Sequence, residues 1–96
     1  MTILIVVTPA EVLATAKQAA ELRRICLSAH AFKRIQERGV HLADLDSAIK
    51  TATHAEWSEE HSSWTLSGGV DFDGDPLRVA VSIEGAKVTI VTVIGD

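Results

Sequence analysis

Trp64-Thr65-Leu66-Ser67-Gly68-Gly69-Val70-Asp71-Phe72, followed after a short break by Leu77-Arg78-Val79-Ala80-Val81-Ser82-Ile83-Glu84, decides the fold class. In the first run Trp64, Leu66, Gly68, Val70 and Phe72 alternate with Thr65, Ser67, Gly69 and Asp71. In the second, Leu77, Val79, Val81 and Ile83 alternate with Arg78, Ala80, Ser82 and Glu84. Successive side chains of a strand point to opposite faces, so this period of two reads as half-buried strands. Asp73-Gly74-Asp75-Pro76 between them is a turn, because glycine accepts positive φ and proline cannot donate to a ladder. Glu84-Gly85-Ala86-Lys87 is the next turn, and Val88 to Ile94 is apolar or Thr throughout, as suits a sheet centre. Ala55 to Ser58 can supply a fourth strand.

Before Ala55 the period is helical. Thr8 is an N-cap, Pro9 fits the first turn and Glu11 completes a capping box. Val12, Leu13, Ala16, Ala19 and Ala20 then share one face, whose alanines suit close packing. A later helix runs from about Leu42 to Ala52, with Leu42, Leu45, Ala48, Ile49 and Ala52 turned inward. Between the two lies Ser28-Ala29-His30-Ala31-Phe32-Lys33-Arg34-Ile35-Gln36-Glu37-Arg38-Gly39, a short helix with Ser28 as N-cap and Gly39 as its left-handed stop. Ile25 to Leu27 are apolar and extended, feeding that helix. Residues 2 to 7 read as a buried strand, which joins the sheet or forms a homodimer contact. The expected architecture is one α+β domain over residues 1–96. Three helices precede an antiparallel sheet of three or four strands, with an extra strand at the N-terminus.

Ninety-six residues, 47% of them hydrophobic, make one globular core and no more. The single cysteine, Cys26, excludes an internal disulfide and a zinc site built on cysteine pairs, and reads as a small buried apolar residue. The apolar run Ile3 to Val7 is too short for a signal peptide or a membrane span. A soluble, cytoplasmic chain is the expectation. No Gly-rich phosphate loop or dinucleotide fingerprint is present, so no cofactor is expected. Asp71-Phe72-Asp73-Gly74-Asp75 resembles half a calcium loop but lacks the closing Glu, and His30, His41, His54 and His61 lack metal-ligand spacing, so no metal is expected. Trp64, in phase with Leu66, belongs to the core; Trp57 suits either the core or a stacking surface.

Charge is segregated. Six of the nine Lys and Arg residues lie between Lys17 and Arg38, with only Glu21 and Glu37 among them, a local +4 in a chain of net −4. Such a chain does not coat nucleic acid indiscriminately, yet it can carry one phosphate-binding patch. On the short helix, with His30 at 0°, Arg34 falls near 40° and Arg38 near 80°, while Ala31, Ile35 and Phe32 form the neighbouring apolar face from about 100° to 200°. An imidazole and two guanidinium groups thus border the core edge. A solvated helix flank has the same pattern.

Ser28-Ala29-His30-Ala31, Arg34 and Glu37-Arg38-Gly39-Val40 together resemble the signature helix of a small bacterial family, domain-of-unknown-function family 4258. The likeness continues through the third helix, the Gly68 strand, the Asp73-Gly74 turn and Val91-Thr92-Val93. It covers residues 24–94. Such domains resemble the RelE-like and barnase-like ribonuclease toxins, which pack N-terminal helices on a four-stranded antiparallel sheet and cut RNA without metal. The resemblance implies a site of His30, Arg34 and Arg38 with Thr92 on the last strand facing them. Lys33, Arg24 and Arg78 are the expected substrate-binding cations around it. It also implies RNA as substrate and a cognate antitoxin or immunity protein as partner.

The chemistry of such a site is simple. RNA carries its own nucleophile, the 2′-hydroxyl. The enzyme needs a base, an acid for the leaving 5′-oxygen, and cations for the phosphorane. Histidine serves as acid or base near neutral pH, and arginine clamps two phosphate oxygens. A non-catalytic module that binds a protein partner is the alternative of a different class.

Overall fold

The structure, a computed structural model, describes residues 8–94. The expected strand at residues 2–7 lies outside that range. Eight elements follow in order: α1 (Pro9–Glu21), β1 (Ile25–Leu27), α2 (Ala29–Arg38), α3 (Leu42–Thr51), β2 (His54–Ser58), β3 (Ser63–Ser67), β4 (Arg78–Glu84) and β5 (Lys87–Ile94). The helix starts obey local rules. Thr8 Oγ1 accepts the Glu11 N–H at 3.2 Å at the head of α1. His41 is the N-cap of α3, and its N–H donates to Asp44 Oδ2 at 2.9 Å. Gly39 closes α2 at φ 65°, a conformation that costs glycine little.

The strands form one five-stranded sheet in the order β1-β5-β4-β3-β2. This corrects the expectation of three or four antiparallel strands. The β2-β3-β4-β5 meander is antiparallel, but Ile25, Cys26 and Leu27 pair in parallel with Val88, Thr89 and Ile90. Without β1, that edge of β5 would present unpaired N–H and C=O groups. Two other boundaries shift. β3 stops at Ser67, where Gly68 turns to φ 79°, so the alternation through Phe72 does not continue as strand and Phe72 is 76% exposed. Cys26 is exposed, because its neighbours Ile25 and Leu27 take the inward positions of a period-two strand.

One face of the sheet is the core. Leu66, Val79, Val81, Val88, Ile90 and Val93 are buried there beneath α1 and α3, which contribute Val12, Ala16, Ala19, Ala20, Leu45, Ala48 and Ile49. The expected inward faces of α1 and α3 are thus present, except that Leu42 is 66% exposed in the first turn of α3. Trp64 packs half-buried against this core, whereas Trp57 is 46% exposed and meets it ring to ring at 5.4 Å. The β3–β4 connection runs tight against α3. A Cβ on Gly69 would overlap the carbonyl oxygen of Ala48, so only glycine fits. Across the tips of α1 and α3, Lys50 Nζ lies 3.0 Å from Asp46 and 3.8 Å from Glu21. The Asp46 hydrogen bond holds the Lys50 ammonium above its ordinary pKa.

The pairing of β4 with β5 carries one irregularity. Val81 pairs with Ile90 but Ala80 with Thr92, leaving Val91 as the extra residue of a β-bulge. A bulge shifts every later side chain by one position. Val88 and Ile90 point to the core before it, and Val93 points there after it. Thr92 is thereby turned to the opposite, open face, in register with Ala80 and, across β4, with Thr65.

Candidate functional site: a groove on the open sheet face

β1 covers only the first half of β5, and α2 packs beside the rest. Ser28 makes the junction. Its N–H donates to Ile90 O at 2.9 Å, and its Oγ donates to the carbonyl of the bulge residue Val91 at 3.2 Å. The same Oγ accepts the Ala31 N–H at 3.0 Å and so caps the helix. Ala31 and Ile35 are buried, which fixes the rotation of α2; Phe32, expected on the apolar face, is 53% exposed. It lies about 100° past Ala31, and the buried arc of this short helix ends before it.

These constraints place His30, in the first turn of α2, on the rim of a groove of about 400 Å³ in the open sheet face. Thr65, Ala80 and Thr92 make the floor, one from each of three adjacent strands in register. Ala80, 4% exposed, leaves the middle of that floor low. Val91 and Ile94 line the β5 side. The far wall is His61, from the turn between β2 and β3, with Ser63 at its foot. The structure therefore brings His30 and Thr92 into one concavity.

The expected cations stand around the groove and not in its wall. Arg34, one turn along α2, directs Nη1 to Glu37 Oε2 at 3.5 Å, and its side chain is 34% exposed. Lys33 lies 4.0 Å from the same carboxylate. Arg38 is exposed, with no carboxylate among the described residues at ion-pair distance, and Arg24 is exposed ahead of β1. Arg78 is half-buried at the start of β4, paired with Ile94, whose side chain does line the groove.

His61, which the sequence sets among the acidic residues Glu59 and Glu60 with no motif around it, also lines the groove. The pairing of Ser58 with Ser63 and Trp57 with Trp64 leaves residues 59–62 as a tight turn. Ser62, at φ 48°, adopts the left-handed backbone there.

The carboxylates of Asp44, in the first turn of α3, and of Asp71 and Asp73 converge to within 4.8 Å of one another. Oxygens of Asp44 and Asp71 already serve the backbone. Asp44 accepts from His41 and Phe72 N–H groups, and Asp71 Oδ1 from those of Asp73 and Asp75. The His41 N–H, and next the Phe72 N–H, hold the Asp44 carboxyl below its ordinary range. A second concavity, of about 750 Å³, lies on the helical side between the end of α1, β1 and α3, with Ile25, Leu27, Leu42 and Ile49 in its lining. No helix among the described residues is long and apolar enough to cross a membrane.

A helix stitched to a bulged strand beside a sheet face that carries Ser63, Thr65 and Thr92 defines a small α+β domain with a groove on its open face. The chain belongs to the family described as Domain of unknown function (DUF4258), whose sequence model matches residues 27–94. Every residue lining the groove falls within that span, and α1 falls outside it. A comparison with curated proteins finds none that matches the chain.

Proposed function

We propose that the groove binds an RNA phosphodiester and that the protein is a metal-independent endoribonuclease of the toxin type, related in fold to the RelE-like and barnase-like ribonucleases. The observation that carries this reading is the meeting of His30 with Thr92, sixty-odd residues apart in the chain, in one concavity floored by hydroxyls. His30 is the proton acceptor for the ribose 2′-hydroxyl. Thr92 and Thr65 orient the phosphate over Ala80. Arg34 and Arg38 follow on the same helix and receive the phosphates beyond the scissile one, Arg34 by exchanging Glu37 for a stronger bidentate partner. Lys33, Arg24 and Arg78 add charge around the path. The working compartment is the cytoplasm, and a cognate antitoxin is the partner that restrains the activity.

The test is cleavage of single-stranded RNA by the purified protein in excess chelator. Products ending in a 2′,3′-cyclic phosphate are expected, with DNA of the same sequence left intact. Failure to cut RNA under these conditions refutes the reading. A second reading, a non-catalytic protein-binding module, is favoured by the helical-side concavity and its 66% exposed Leu42. A folded protein without nuclease activity that forms a stable complex through that face would establish it.

A further inference from the structure

We infer that His61 is the second proton-transfer group of the groove, the acid that protonates the leaving 5′-oxygen; this rests on the ribonuclease reading above. Cleavage through the 2′-hydroxyl is an in-line displacement, with attacking and leaving oxygens on opposite sides of phosphorus. One imidazole cannot reach both at once. The groove supplies two, on opposite walls, His30 from α2 beside β5 and His61 from the turn ahead of β3. Three strands lie between the walls at about 4.8 Å spacing, so Thr65 and Thr92 stand about 10 Å apart. A phosphate lowered onto Ala80 fits between them. Neither ring is buried or built into the core.

The charges facing each ring divide the labour. His30 lies in the first turn of α2, at the positive end of the helix, with Lys33 and Arg34 on the same element. Lys33 and Arg34 both pair with Glu37 of the same helix, and His30 is placed to work as the base. His61 Nε2 lies 4.0 Å from Glu60 Oε2, with Glu59 in the same turn and Glu56 on β2 in register with Thr65. It is placed to work as the acid. β4 and β5 add Ala80, Val91, Thr92 and Ile94 to the groove, none of them titratable, and Arg78 pairs with Ile94 at its end.

The step balances. His30 takes the 2′-hydroxyl proton as the 2′-oxygen bonds to phosphorus. The bond from phosphorus to the 5′-oxygen breaks, and the His61 proton passes to that oxygen. The products are a 2′,3′-cyclic phosphate and a 5′-hydroxyl, with His30 protonated and His61 neutral.

The experiment compares two dinucleotide substrates in chelator, uridylyl-adenosine and its analogue with sulfur in place of the bridging 5′-oxygen. A thiolate leaves without an acid. His61→Ala should lose on the order of 10²- to 10⁴-fold on the oxygen substrate and only a few-fold on the sulfur one. Its pH–rate profile should also lose the limb set by the acid. His30→Ala should lose on both substrates. His61→Gln, in an exposed turn, repeats the test if His61→Ala does not fold. A wild type that cuts RNA while both His61 variants keep its rate and its two-limbed profile overturns the role of His61 and leaves the ribonuclease reading standing. A wild type that cuts neither substrate overturns both.

Discussion

Replacing Ser28 by Ala should destabilise the domain by about 2 kcal/mol. The hydroxyl makes two contacts that Ala cannot: it accepts the Ala31 N–H at 3.0 Å and donates to Val91 O at 3.2 Å. Losing an N-cap acceptor costs about 1 kcal/mol. Leaving a partly buried carbonyl without its donor costs roughly another 1 kcal/mol. For a domain of this size the sum corresponds to a fall in Tm of about 8–16 °C. Urea unfolding, followed by tryptophan fluorescence, measures the free energy directly, and the midpoint should drop with the slope unchanged. Ser28→Asp separates the two contacts. Its carboxylate keeps the cap and suits the helix N-terminus, but it cannot donate to Val91 and sets negative charge against that carbonyl. It should recover no more than the capping share. If Ser28→Ala costs less than about 0.5 kcal/mol, Ser28 does not hold α2 to the bulge, and the placement of His30 over Thr92 needs another cause.

Gly69→Ala should cost about 3 kcal/mol or prevent folding, since its methyl group would overlap the Ala48 carbonyl; a urea midpoint close to wild type would contradict that packing. Asp44→Asn should lower stability at neutral pH, and the deficit should shrink with acid. The Asp44 carboxyl is held below its ordinary 3.8, so its contribution is complete above that value and disappears as pH falls through the lower folded one. Urea midpoints of both proteins from pH 7 to pH 2 follow the convergence, and a gap independent of pH would refute it. His30→Ala should abolish RNA cleavage while changing stability by less than about 0.5 kcal/mol, because the ring is exposed and outside the core. Joint replacement of Glu59 and Glu60 by Gln should tighten RNA binding at low salt, with the gain vanishing as salt shortens the Debye length below about 8 Å; a gain that persists at high salt would refute a charge origin.

The helices were legible because their signals are local. Thr8 with Glu11 and Ser28 with Gly39 mark ends through bonds that close within a turn or two, and the small residues of α1 show its buried face directly. The meander was legible from period two and two glycine turns. What escaped depends on pairing across the chain. Ile25 to Leu27 is only three residues long, and nothing in them names Val88 to Ile90 as a parallel partner. The bulge at Val91 leaves a trace, inward residues at 88, 90 and 93 in place of a strict alternation, yet an all-apolar strand hides it. His30 was visible on its helix because the flanking arginines share its side. His61 was not, because its significance comes from the β2–β3 turn lying beside a floor built by β3, β4 and β5.

The bulge also bears on how an acidic chain could hold the phosphate site proposed above. It carries Thr92 to the open face at the point where β1 ends and α2 takes over the edge of β5, so the cationic stretch of the sequence meets the sheet there. Lys33, Arg34 and Arg38 accompany His30 on that side, while Glu56, Glu59 and Glu60 gather beside His61 on the other. The groove is polarised across its width and is not uniformly basic. On the ribonuclease reading proposed above, phosphates would be drawn to the α2 side, and a strand crossing toward the acidic side would meet repulsion. Net charge therefore says little about this site. What matters is which charges stand nearest the groove: Lys33, Arg34 and Arg38 follow His30 on α2, and Glu56, Glu59 and Glu60 lie on β2 and in the turn that carries His61, with the low Ala80 floor between the two histidines.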